Sequence, residues 1–380
     1  VEPLEVYGQE TTRNLIERSL RSSAFGNSVL FEGPYGVGKE RLAFWLAQFI
    51  LCATGDACGT CTPCTKVIHL THPDLRWMIP APGTETGTTE NDEKSSRGRK
   101  QTEREKFLAE ATEQKRDEPF FIPRSNRPLG HSADSIRRLL AWCAKRPFEA
   151  DRKVVIIRDA DMMAPGIANL FLKLLEEPPL DTVIILTSAM PHRLLSTVLS
   201  RCISYRFPVV DDHHVIAALD EYGGIRGEKA ALLARLAQGS LIRAFEFGNE
   251  DDEVRQEALK LFGKAAVGRV RECYDILISS LSSRYGRNKA DMLDRTIFFM
   301  VLVLRDLLLL AEGGDEKDMV NVDLLERMRK LTGKWDKKRI SELVLELEII
   351  RRDLKYNVNL ELAFWKILDS VRTCLYDVPL

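Results

Sequence analysis

The stretch SVLFEGPYGVGKERLAFWLAQFILC, residues 28–52, decides the fold. It reads as a short buried strand, a glycine loop and a helix, which is the setting a phosphate-binding P-loop requires. Gly33, Gly38 and Lys39 match the pattern G-x-x-x-x-G-K-[ST], with Gly36 between the two outer glycines. In such a loop successive backbone N–H groups face a phosphate and the lysine neutralises its oxygens. One position departs: Glu40 stands where a serine or threonine hydroxyl would hold magnesium.

Two further runs, KVVII (153–157) and TVIILTS (182–188), are continuously apolar and β-branched, as strands buried on both faces of a parallel sheet must be. Another short strand is expected near Leu75–Ile79. Helices are expected over 10–23, over 132–148 with Ser132 as N-cap, and over 166–177, where Pro178 and Pro179 stop it. This alternation predicts an α/β parallel sheet with helices on both faces over residues 1–208. No strong strand signal follows Phe207 and Pro208, so 209–250 reads as a small helical domain and 251–380 as a larger all-α one. In the latter, ISELVLELEIIRRDLKY and NLELAFWKILDSVRTCLY repeat apolar residues at three and four, a stripe for internal core or for assembly.

A P-loop site usually takes a second magnesium determinant from an acidic residue that ends an apolar strand. After VVII (154–157) the next residue is Arg158, and only then comes Asp159. Both determinants have therefore changed, and the expectation is a Glu40–Arg158 ion pair that fills the metal site. At an effective dielectric near 20, two unit charges about 4 Å apart attract by about 4 kcal/mol before desolvation. Alternatively Glu40 faces solvent while Arg158 caps the strand, or Glu40 itself ligates magnesium. In each case magnesium loses its usual ligands, while the glycine loop and Lys39 leave binding of ATP open.

Four of the eight cysteines crowd together as Cys52, Cys58, Cys61 and Cys64. Four thiolates within 13 residues, with Gly and Pro between the last three, suit a closed structural zinc site; a redox pair in Cys61 and Cys64 is the competing reading. Net charge is -1, so no basic field advertises nucleic acid. The most apolar run, 297–310, is short and carries Arg305 and Asp306, so it reads as a buried helix and not a membrane span. VEPLEVYGQE has no basic region followed by an apolar stretch, and a cytoplasmic protein is expected. Between about 81 and 125 the character changes: 16 of the 28 residues from Asn91 to Glu118 are charged. This insertion is expected to loop out as a solvated segment with a frayed helix, or to serve as a partner-binding arm.

Together these elements resemble the clamp-loader branch of the AAA+ ATPases of bacterial DNA polymerase III. The resemblance is carried by GQE (8–10), GPYGVGK (33–39), the four-cysteine insert, HPDL (72–75), RKVVIIRDADMM (152–163), ANLFLKLLEEPP (168–179), LLSTVLSRC (194–202) and GSLIRAF (239–245). It implies an AAA+ domain, a lid over 209–250 and a collar for oligomerisation over 251–380. It further implies a ring-like assembly with gamma/tau-type ATPases and delta, which opens a sliding clamp and places it on primer-template DNA. In that family Ser200, Arg201 and Cys202 form a motif whose arginine reaches across the subunit boundary to the γ-phosphate of a neighbour's ATP, a finger in trans. That role needs no magnesium site in the donor, although Arg201 as an ordinary ion-pair residue is the plainer alternative. Three departures accompany the resemblance. Cys52 and Cys58 are closer than the family's usual gap, Arg243 sits one place later than in the gamma subunits, and the charged insertion matches no family motif. The implied function is a subunit that does not itself hydrolyse ATP. An active gamma-type subunit using Glu40 or Asp159, and an unrelated P-loop kinase or nucleotidase, stay open.

Overall fold

In a computed structural model of the chain, the described residues are 4–22, 25–83, 93–125, 127, 129–179, 181–249, 253–266, 269, 271–276, 289–331, 336–354 and 358–375. They divide into two compact units, one formed by residues 1–123 with 129–245 and the other by 124–128 with 246–380.

The first unit is built on the strands β1 (Ser28–Glu32), β2 (Leu75–Met78), β5 (Lys153–Ile157), β6 (Thr182–Ser188) and β7 (Ile203–Arg206), with β3 (Ala81–Pro82) and β4 (Leu129–Gly130) paired separately. The main sheet runs β2-β5-β6-β1-β7 with every pair parallel. Every residue of β5 and β6 is buried, which explains their unbroken apolar sequence. Edge strand β7 buries only Tyr205 of its four residues, so it carried too little pattern to be foreseen. Leu30, Val155, Ile157, Ile184 and Leu186 pack against Ile136 and Leu139 of α5 (Ala133–Cys143) and Phe171 and Leu174 of α6 (Pro165–Glu176). Alternate strand residues face the other way, and α2 (Lys39–Leu51) lies against β5 and β6. Ser132 caps α5 by accepting a hydrogen bond from the Ser135 N–H at 3.2 Å. α1 (Glu10–Arg21) precedes β1; α8 (Asp212–Gly223), α9 (Gly227–Ala237) and the start of α10 (Leu241–Asn249) close the unit.

The charged insertion departs from expectation. It is a helix, α4 (Glu93–Asp117), whose C-terminal half is docked on the sheet unit, with Ala111 buried. Arg104 donates to the carbonyls of Ala81 and Pro82 at 3.0 and 3.2 Å and of Gly130 at 3.3 Å. Charge is tolerated there because backbone oxygens satisfy it. The small, turn-forming stretch 84–92 lies outside the described residues.

The second unit is helical: α11 (Glu253–Ala266), residues 271–276, α13 (Lys289–Ala311), α14 (Leu325–Leu331), α15 (Lys337–Asp353) and α16 (Leu360–Leu375), where α12 is the 271–276 segment. Ile297 and Leu304 of α13, Leu347 of α15, and Phe364 and Ile367 of α16 form its core. The expected stripe is therefore internal, although Leu345, Ile349, Leu362 and Trp365 of the same two helices stay exposed. The buried Asp306 carboxylate accepts from the backbone N–H groups of Val320 and Asn321. Among the described residues no helix is long and apolar enough to cross a membrane.

Candidate functional site

With β1 between β6 and β7, the loop leaving β1 emerges beside the ends of those two strands and one strand away from the end of β5, on the edge where parallel sheets bind ligands. Gly33, Gly36 and Gly38 all have positive φ, at 155, 79 and 96°. Gly36 shows why glycine is needed: a Cβ there would lie 2.0 Å from Ser240 Oγ, which comes from the GSLIRAF segment laid over the loop. Gln9 of GQE fixes the opposite side, donating to the carbonyls of Val37 and Pro208, each at 3.0 Å. The glycine spacing thus builds a loop, and the loop is covered.

Lys39 does not reach outward. Its ammonium donates to the carbonyls of Gly33 and Pro34 at 2.7 and 2.6 Å. Burial pushes its pKa down to about 8, against the pull of Asp159 and Asp161. Glu40 accepts from Trp77 Nε1 at 2.9 Å and from Lys115 Nζ at 2.6 Å. Burial works against its ionisation, but Lys115 and then Arg158 hold its carboxyl below the usual carboxylate range. Lys115 also donates to the carbonyls of Pro119 and Phe121, at 2.7 and 3.3 Å. Three acceptors on one nitrogen require the three protons of an ammonium, so the Glu40–Lys115 contact is ionic even though burial lowers the lysine's pKa.

Arg158 and Glu40 lie 4.0 Å apart, the outer limit of an ion pair, and each has a closer partner. Arg158 Nε is 3.1 Å from the Asp159 carboxylate. Asp159 has left-handed backbone, φ 49°, and its N–H donates to Thr187 Oγ1 at the end of β6. His131, fully buried, donates through Nε2 to the Arg158 carbonyl at 2.9 Å, and burial pushes its pKa down to about 4. The guanidinium of Arg243 lies over the Tyr35 ring, 5.8 Å from its centroid, and Ile242 is the residue of that segment which lines the pocket.

The remaining cavity has a volume of about 50 Å³, far below the roughly 300–1,000 Å³ of ordinary ligand clefts. Lys115, Pro119, Phe120 and Ile122 from the insertion line it together with Arg41. Those five residues were not foreseen. Arg41 follows the motif directly, and its Nη2 donates to Tyr222 OH at 2.5 Å while its Nε bonds the Glu5 carbonyl.

Arg201 lies elsewhere, at the end of the short helix α7 (Ser196–Leu199), and does not line this pocket. Its Nη1 donates to the Thr197 carbonyl and its Nη2 pairs with Glu176, both at 3.0 Å, with the side chain 35% exposed.

Cys52, Cys58, Cys61 and Cys64 converge, their sulfur atoms all within 4.8 Å of one another, and this group can hold a metal ion. Cys52 ends α2, Cys61 caps α3 (Thr62–Ile68) and Cys64 lies inside it, buried. HPDL anchors the loop before β5: the Asp74 carboxylate accepts from the N–H groups of Phe148, Glu149 and Ala150, at 2.6, 2.7 and 2.9 Å.

A family model described as DNA polymerase III, delta subunit, matches residues 8–211. A second, described as DNA polymerase III, delta subunit, C terminal, matches residues 278–372. The chain is 24% identical to DNA polymerase III subunit delta' of Bacillus subtilis over 357 residues, 93% of each. It is 32% identical to subunit delta' of Pseudomonas aeruginosa over 187 residues, 48% of this chain and 43% of the relative. With subunit tau of Bacillus subtilis the identity is 22% over 400 residues, 99% of this chain and 63% of the relative.

Proposed function

The chain belongs to the family described as DNA polymerase III, delta subunit, and on that premise we propose that it is a clamp-loader subunit which does not hydrolyse ATP and lends Arg201 to a neighbour's active site. The observation that carries this reading is the state of Lys39. An ammonium that donates to Gly33 and Pro34 at 2.7 and 2.6 Å is engaged by its own loop, and no phosphate is needed to satisfy it. Arg201, in contrast, stands partly exposed and away from its own pocket. A guanidinium so placed can stabilise charge on a phosphate bound by another subunit.

The partners on this reading are gamma/tau-type ATPases and delta, a sliding clamp and primer-template DNA, in the cytoplasm. Residues 209–250 act as the lid and 251–380 as the collar that joins the assembly. The four cysteines hold structural zinc. A tetrahedral ion with Zn–S bonds near 2.3 Å sets sulfur atoms about 3.8 Å apart, and Cys52 lies 3.7 Å from Cys58 and 3.8 Å from Cys61. Such a site has no open position and supplies folding energy, not catalysis.

Arg201→Ala in the assembled loader is the test. Reduced DNA-stimulated ATPase with assembly preserved supports the role in trans, and unchanged turnover overturns it.

A further inference from the structure

The last turn of α4 and the residues that follow it enter the P-loop pocket from a part of the sequence remote from the motif. They do so in two chemically distinct ways. Lys115 places a cation 2.6 Å from Glu40, the residue at the motif's magnesium-holding position. Its side chain is 7% exposed, so the charge belongs to the interior. Phe120 fills a planar slot. Its ring stacks on Phe245 at 4.4 Å with an interplanar angle of 9°, and the Arg41 guanidinium lies 5.3 Å from its centroid. Tyr222 meets it edge-on at 5.5 Å. A flat ring held between an aromatic face and a guanidinium is also how proteins hold nucleobases. One segment of eight residues thus supplies both a cation and a ring.

We infer that residues 115–122 act as an internal ligand of the P-loop pocket, Lys115 standing in for the metal ion and Phe120 for a base. The insertion, and not the P-loop substitutions alone, then keeps nucleoside polyphosphates out. This inference deepens the reading of the pocket as non-hydrolysing and rests on it, but it says nothing of Arg201. The charges sharpen it. With Lys115 withdrawn, Glu40 keeps the Trp77 hydrogen bond and, as its charged partner, Arg158 at 4.0 Å. Its carboxylate repels a bare polyphosphate, whereas magnesium joins the two, because carboxylate and phosphate oxygens are both hard ligands. The emptied pocket therefore binds nucleotide only with magnesium.

The test is titration of the full-length chain with a fluorescent ATP analogue, in magnesium or in EDTA. The wild type gives no saturable binding below about 1 mM, the upper end of common substrate affinities. Lys115→Ala/Phe120→Ala binds at least about tenfold more tightly, a gain of about 1.4 kcal/mol, and only in magnesium. Adding Lys39→Met removes the gain. Wild-type binding as tight as the variant's overturns the inference, as does a folded variant that gains nothing. A measurement on the wild type alone guards against a variant that does not fold. Acetic anhydride should label Lys115 at least about tenfold more slowly than Lys106, whose side chain is 76% exposed; equal labelling overturns the inference. Both readouts concern the isolated chain, so they fail independently of the assembly ATPase that tests Arg201.

Discussion

Glu40 and Lys115, 75 residues apart in sequence, meet at 2.6 Å with side chains 12% and 7% exposed. A buried ion pair is costly to break from one side, since the remaining charge loses its partner. Lys115→Ala should therefore destabilise the first unit by about 3–5 kcal/mol in urea unfolding. Glu40→Gln/Lys115→Met should recover most of that loss. Equal damage from the single and the double variant would show that the charges themselves matter little.

His131 gives a pH signature. Its pKa is held near 4 in the fold, against 6.5 when exposed. The unfolded chain binds the extra proton between these values, so stability is complete above pH 6.5 and falls as pH drops towards 4. A shift of this size is worth about 3 kcal/mol. His131→Gln retains a side-chain N–H for the Arg158 carbonyl but does not titrate, and should flatten the slope of stability between pH 4 and 6.5. An unchanged slope would assign the acid sensitivity to other groups.

The cysteine cluster predicts one zinc per chain. Mass spectrometry under native conditions should find it, and stripping it with a chelator should lower the melting temperature. Cys61→Ser should bring the melting temperature down to that of the stripped protein. A metal-free protein of undiminished stability would refute the site.

Arg201 and Glu176 form a surface pair, and exposed pairs contribute at most about 1 kcal/mol. Arg201→Ala should accordingly leave the melting curve of the isolated chain almost unchanged, so that any effect in the assembly can be read as function. A large loss of stability would remove that interpretation.

The parts legible in the sequence were those with a local signal. The strand, loop and helix around Lys39, the apolar runs of β5 and β6, and the cap at Ser132 each announce themselves within a few residues. The cysteines do so within 13 residues. What escaped depends on long-range pairing. A segment with 16 charges in 28 residues has the composition of a solvated arm, and nothing local distinguishes Lys115 or Arg104 from their exposed neighbours. Only the fold brings Glu40 to one and three carbonyls to the other. The same limit applies to Arg158. Charge complementarity suggested Glu40 as its partner, but at 4.0 Å that contact is secondary to the adjoining Asp159 and to Lys115. β7 escaped for a different reason, since an edge strand that buries one residue in four has almost no pattern to read.

The most direct test of the account compares Arg201→Ala with Lys39→Met in the reconstituted assembly, by DNA-stimulated ATPase. The account predicts that Arg201→Ala lowers turnover by about tenfold or more, within the large effects that arginine fingers exert, while Lys39→Met leaves it at the wild-type level. Loss of turnover with Lys39→Met and none with Arg201→Ala would show that this chain hydrolyses ATP in its own pocket and would contradict the account.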